Sequence, residues 1–347
     1  MSAPRQPHID ALKIAASQLI VWHHLAAYGP VADTLHAAWP AWMDWLYDYG
    51  RMAVQVFLVL GGYLALPGLL HTLHAPWPVL LDAMAGRYRR LAPPFLIAML
   101  LAAAVGTLTR PWLGADLAGD PVTAAQVLAH ALLLHDVLGQ ASLSAGVWYV
   151  AIDFQLYALL ALLLWLGLRT GREAVAVALL VMACAAALLW WNRDSDLDIW
   201  ATYFMGAYGL GALARCVQQL PDRAQRLLGA AGLLALGALA LWVEWRTRVA
   251  LATGLALWLA LAPRQPGRPL PARLGAGLSA LGRSSYALFL LHYPVLLLGN
   301  AIWVVAGGAS PAAALAVALT VWVLSMGLGL LFERHVEQPL SRRLRRT

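Results

Sequence analysis

The stretch HIDALKIAASQLIVWHH, residues 8–24, is an apolar run interrupted by Asp10, Lys13, Ser17, Gln18, His23 and His24. A helix turns about 100° per residue, so Lys13 and His24, eleven positions apart, return to within about 20° of one face and stand roughly 16 Å apart along the axis. Ser17 falls about 40° off that line and Asp10 about 60° off it. The expectation is a membrane helix with a cation near one end and an imidazole deep inside. Ionisable groups in a bilayer are costly and mark functional sites by default. The competing reading is structural, with His24 bonding a neighbouring helix and Lys13 snorkelling to the surface.

The remainder of the chain fits a membrane setting. Of 347 residues, 61% are hydrophobic and 12% charged, against about a quarter charged in a soluble domain. Apolar runs of about 20 residues recur, long enough to cross a hydrocarbon core of roughly 30 Å as helices. The expected fold class is an all-α polytopic membrane protein with about ten transmembrane helices. They fall near 11–29, 51–71, 91–109, 145–168, 173–191, 199–216, 227–243, 248–262, 284–305 and 312–332. These form one membrane domain over 1–347, with its core at 8–340 and a short basic tail at 341–347. Residues 39–47 read as a Trp-rich loop and PRQPGRPLPAR, 263–273, as a linker. Segment 122–138 is too short to span and reads as interfacial or re-entrant.

With the N-terminus in the cytoplasm, 19 of the 24 Lys and Arg residues lie on that side and 5 on the other. That bias follows the positive-inside rule and places both termini in the cytoplasm. It also accounts for the +7 net charge without a nucleic-acid partner. The first run is too long for a cleavable signal and lacks a small-residue cleavage site. Cys184 and Cys216 lie in or beside separate spans, so they form no disulfide framework. The ten histidines show no metal-ligand spacing, and there is no phosphate-binding glycine loop, nucleophile elbow or internal repeat.

Five further stretches stand out. RYRRLAPPF, 87–95, sets three arginines at the cytoplasmic mouth of the third span. They fit either a phosphate clamp or ordinary cytoplasmic anchoring. In GVWYVAIDFQLYALL, 146–160, Tyr149, Asp153 and Tyr157 share a helix face. Asp153 lies about 12 Å in from one end of its helix and His24 about 20 Å in from the opposite side. The two are expected to meet, with the carboxylate fixing the imidazole tautomer, or else Asp153 is structural. SSYALFLLHYPVLLL, 284–298, places His292 on the face of Ser285, with Pro294 loosening the helix. FLVLGGYLALPG, 57–68, has paired glycines that read as close helix packing. HVEQPLSRR, 335–343, reads as a helix terminus with a basic anchor.

Taken in order, these stretches resemble the acyltransferase type 3 family of integral membrane acyltransferases over about residues 8–340. The family's opening Asp, Arg and His look like Asp10, Lys13 and His24. Its Ser-Gly-Phe turn looks like Gly61-Gly62-Tyr63, and its Arg-x-x-Arg before Pro-Pro looks like Arg87 to Arg90 before Pro93-Pro94. Its Trp…Glu…Tyr span looks like Trp148, Asp153 and Tyr157. Its Ser-Tyr…Leu-His-x-Pro looks like Ser285-Tyr286, Leu291-His292 and Pro294, and its Glu-x-Pro looks like Glu337 and Pro339. Lys13, Gly61 and Asp153 depart from the family's Arg, Ser and Glu.

The resemblance implies transfer of an acyl group, most often acetyl, from cytoplasmic acyl-CoA to a hydroxyl of an envelope or exported glycan or glycolipid. It implies residence in the bilayer of a bacterial inner membrane. On this reading His24 and Asp153 are catalytic. Lys13, Arg87, Arg90 and His292 bind the donor, and Asp10, Trp148, Tyr149 and Tyr157 contact substrate. His24 acts either as general base or as a transient acyl carrier. Two alternatives remain at this point. One is a glycan or lipid transporter or flippase using the buried His and Asp as a proton relay. The other is a non-catalytic partner in a glycan-assembly complex.

Overall fold

A computed structural model describes residues 6–72, 77–263 and 271–344. Most of the expected linker at 263–273 and the last three residues of the basic tail lie outside them. Helices make up 84% of the structure, with no strand among the described residues, so the chain is an all-α polytopic membrane protein. Every expected span lies on a helix. Among the described residues, seven helical stretches are long and apolar enough to cross a membrane: Pro40–Leu70, Trp77–Ala118, Trp148–Leu168, Glu173–Arg193, Arg223–Val243, Arg273–Val305 and Pro311–Arg343.

The other three expected spans are α1 (Pro7–Ala27), α9 (Ala201–Gln219) and α11 (Thr247–Leu261). The first two have the length but not the apolarity, because polar, glycine and tyrosine residues interrupt them. The third has only 15 residues.

One correction concerns residues 39–47, expected as a loop. Residues 40–47 lie in α3 (Pro40–Gly50), which only Trp39 separates from α2 (Pro30–Ala38). Both helices open with proline, whose fixed φ suits the first helical position and whose missing N–H costs nothing there. Segment 122–138 contains only the short α6 (Ala124–Ala131), started by a reciprocal Thr123–Gln126 capping box.

The helices gather into two compact units. The first holds α1, α2, α3, α6, the later part of α5 (Trp77–Ala118), α12 (Ala272–Val305), α13 (Pro311–Phe332) and α14 (Gln338–Arg343). A single π-helical turn at Glu333–Glu337 joins α13 to α14. The enclosed α12 is the axis of this unit, and its apolar window is 78% buried. Glycines let α1 and α13 approach it. A Cβ at Gly282 would meet Asp10 on α1 at 2.8 Å, and one at Gly329 would meet the Leu288 backbone at 3.0 Å. Polar ties fix the register. Trp322 Nε1 donates to Gln18 Oε1 at 2.7 Å, Arg283 Nε donates to Glu333 at 3.1 Å, and Asn300 Oδ1 accepts the Val31 N–H at 3.0 Å.

The second unit holds α4 (Ala53–Thr72), the start of α5, α7 (Trp148–Leu168), α8 (Glu173–Leu189), α9, α10 (Arg223–Val243) and α11. Its axis is α9, buried along nearly its whole length. Small residues make that possible. A Cβ on Gly211 would lie 1.9 Å from the Val59 carbonyl oxygen, and one on Gly62 would lie 1.9 Å from that of Tyr208. So α4 and α9 touch backbone to backbone, and the Gly61-Gly62 pair serves packing. Gly206 and Gly209 receive the side chains of Leu188 and Cys184 of α8.

Polar staples close the ends of this unit. Tyr63 Oη and Arg215 both donate to Gln218 Oε1, at 2.6 and 2.7 Å. Arg246 donates to Asn192 Oδ1 and to the carbonyls of Leu188 and Ala240.

Candidate functional site

In the first unit, α1 and α12 bring together two histidines 268 residues apart. His24 is 6% exposed and His292 1%. Nδ1 of His24 lies 2.5 Å from Nε2 of His292, and the rings are nearly parallel at 6°. Nδ1 of His292 faces its own helix, 2.7 Å from the Phe289 carbonyl oxygen and 3.3 Å from that of Leu288.

Aromatic and glycine residues frame the pair. Tyr28 and His23 flank the His24 ring, and Tyr149 meets Phe289 edge-on at 5.8 Å. Gly146 adopts φ +79°, and a Cβ there would lie 3.0 Å from Cε1 of His24 and 3.4 Å from the Phe289 ring. Glycine is required on both counts, since φ is in the left-handed region and the imidazole occupies the side-chain space. His23 turns the other way, its Nδ1 3.2 Å from the Leu46 carbonyl of α3.

In the second unit, Arg87 Nη2 donates to Asp153 Oδ2, and the Arg87 guanidinium also lies over the Tyr157 ring at 5.3 Å. One arginine thus gathers two successive residues of the expected α7 stripe. The Asp153 side chain is 8% exposed and that of Arg87 21%.

A family model described as an acyltransferase domain matches residues 7–332. The chain belongs to the type 3 acyltransferase family. No curated protein and no solved structure matches it.

Within this acyltransferase, the expected site residues divide between two clusters. In the first unit His24 pairs with His292, and in the second Asp153 pairs with Arg87. Arg87, expected on donor phosphates, has its guanidinium on a carboxylate. Arg90 is exposed, and Glu337 lies within electrostatic reach of it. On α1, Lys13 is half-buried, while Ser17 and His24 face the interior as the helical stripe required. Asp10 packs on Gly282, with Ser279 Oγ 3.5 Å from its carboxylate. Trp148 and Tyr149 are half-buried and meet edge to face. Gly146 and Phe289 were missed. A glycine directly before the Val-Trp that opens α7 was the available signal.

A second histidine pair lies outside the spans. His130 and His135 stack at 4.1 Å with no exposure, and Phe95 lies 6.2 Å from His130. His130 Nδ1–H donates to the Gln126 carbonyl at 2.8 Å, and its Nε2 accepts the Leu143 N–H at 3.2 Å. The Asp136 carboxylate lies 3.6 Å from His135 Nε2. Burial pushes both imidazoles down to about 4, with mutual repulsion of the charged forms adding at His130.

The sign follows directly. Between about pH 6.5 and 4 the unfolded segment binds more protons than the folded one, so stability here is present above about 6.5 and lost as pH falls toward 4. Rate-corrected hydrogen exchange should therefore show protection of residues 124–144 falling between about pH 7 and about pH 5. Unchanged protection would contradict it.

Proposed function

We propose that this acyltransferase moves an acyl group, acetyl in the first instance, from cytoplasmic acyl-CoA to a hydroxyl of an envelope glycan or glycolipid, with His24 as general base. The observation that supports it most is the buried His24–His292 pair on the inward stripe of α1, within a chain of this family. In this reading the N-terminus faces the cytoplasm of a bacterial inner membrane. Lys13 and Arg90 hold the phosphates of the donor at that face. The pantetheine arm follows α1 inward over the roughly 16 Å that separate Lys13 from His24. Asp10, Trp148 and Tyr149 are proposed to contact substrate.

The acceptor hydroxyl gives its proton to His24, and its oxygen bonds to the thioester carbon. The carbon–sulfur bond then breaks, and the same proton leaves on the CoA thiol. A proton acceptor with a pKa near the working pH suits that step. Arg87, Asp153 and Tyr157 are assigned to one another as a structural cluster, on the strength of the ion pair.

The test is acetyl-CoA binding to the purified protein in detergent. Wild type should bind saturably, and Lys13→Ala and Arg90→Ala should each weaken binding about 10-fold, as expected for losing one charge-assisted contact of about 1.5 kcal/mol or more. Folded protein that binds neither acetyl- nor succinyl-CoA would remove the donor and the reading with it.

A further inference from the structure

We propose that His292 is a positioning residue that holds His24 in its Nδ1–H tautomer, so that the His24 lone pair lies on Nε2. The proposal rests on the reading of His24 as a base, and it assigns His292 a task other than donor binding.

The hydrogen bonds decide the tautomers. A carbonyl oxygen only accepts, so His292 Nδ1, 2.7 Å from the Phe289 carbonyl oxygen, carries a proton. A charged imidazolium at 1% exposure among Leu288, Phe289 and Leu291 would be a buried charge with no carboxylate bonded to it, which is costly. His292 is therefore neutral, with its lone pair on Nε2. The atom 2.5 Å from that lone pair is Nδ1 of His24. Two lone pairs at that distance repel, so His24 Nδ1 carries the hydrogen and donates it. The neutral His24 ring is then left with Nε2 as its only basic atom. The chain runs His24 Nδ1–H to His292 Nε2, then His292 Nδ1–H to the Phe289 carbonyl.

An imidazole here does what a carboxylate does in other general-base sites, orienting the ring and choosing the nitrogen. It adds no negative charge to an apolar interior. The chain ends on the backbone of α12, the most enclosed helix of its unit, so its anchor point is rigid. When His24 takes the acceptor's proton, its Nδ1–H bond to His292 is retained, and the product imidazolium keeps a partner.

The experiment is nitrogen NMR on full-length protein carrying ¹⁵N-histidine in detergent, with the His24 signals assigned by their loss in His24→Gln. Wild type should show His24 protonated on Nδ1 and bare on Nε2. His292→Leu, which removes the acceptor but keeps an apolar side chain, should redistribute that proton between the two nitrogens. His292→Gln, whose side-chain oxygen restores an acceptor, should return it to Nδ1.

Thiol release from acetyl-CoA with water as acceptor gives a kinetic arm. His292→Leu should lower kcat about 10–100-fold, the usual cost of removing a partner that orients a functional imidazole, with KM for acetyl-CoA unchanged and His292→Gln recovering most of the loss.

Wild-type His24 protonated on Nε2 would overturn the proposal, and that spectrum needs no variant to fold. A tautomer unmoved in His292→Leu would also overturn it. If the tautomers are as assigned but His24→Gln transfers at the wild-type rate, the positioning holds and the general-base reading fails.

Discussion

His24→Ala, folded like the parent, should lose acyl transfer by about 10²–10⁴-fold in kcat, the usual contribution of a positioned general base. KM for the donor should change little, because in the proposed reading the phosphates are held at the other end of α1. The substitution also has a structural cost. It leaves His292 Nε2 buried without its donor, which is worth about 1–3 kcal/mol, and it opens a cavity where the ring stood. Thermal unfolding in the same detergent must therefore accompany the kinetics. A folded His24→Ala protein with full transfer activity would rule out both general-base and acyl-carrier roles for this residue.

Asp153→Ala should destabilise the second unit strongly. It leaves the Arg87 guanidinium facing a position 8% exposed on a membrane helix, and breaking such a pair by removing one partner costs about 3–5 kcal/mol. Arg87 is itself partly exposed, which places the expectation at the lower end. Arg87→Leu should destabilise for the mirror-image reason. The double variant Arg87→Leu with Asp153→Leu should regain most of the lost stability, since both members of the pair are then removed together. Thermal unfolding of the four proteins measures the coupling, and additive losses would show that the pair does not act as a unit. Transfer activity in the double variant tests the structural assignment directly. If Asp153 touches the acceptor instead, the protein will be stable and inactive.

The spans were readable in the sequence where helices face lipid. α7, α8, α10 and α13 are near-continuous apolar runs, and their ends agree with expectation to within a few residues. α9 was placed correctly but for an incomplete reason. Its glycines at 206, 209 and 211, which form the contact surface with α8 and α4, were not singled out. Residues 39–47 were misread because Trp and Asp obscure any apolar face, although Pro30 and Pro40 are ordinary helix-start signals.

The candidate site was legible residue by residue but not in its pairings. His24, Asp153, Arg87 and His292 were all singled out from their chemistry and setting. Which meets which depends on how helices turn about their axes when packed, and contacts 268 and 66 residues apart in the chain leave no mark on either local stretch. The same holds for the Gly146 backbone, whose left-handed φ serves a ring more than 120 positions earlier in the chain.

Arg246 has a consequence for the order in which the protein is made. Its guanidinium binds the Leu188 carbonyl near the end of α8, which a helix end leaves without an intrahelical donor, and also the Ala240 carbonyl of α10, which already accepts the Glu244 N–H. Leu188 is synthesised 58 residues before the arginine that satisfies it. During translation α8 therefore waits with an open polar end while α9 and α10 are added, and the unit seals only when the α10–α11 turn arrives. A ribosome-bound chain stopped just before residue 246 should hold α8 to α10 in place yet leave that end accessible. One stopped after α11 should not.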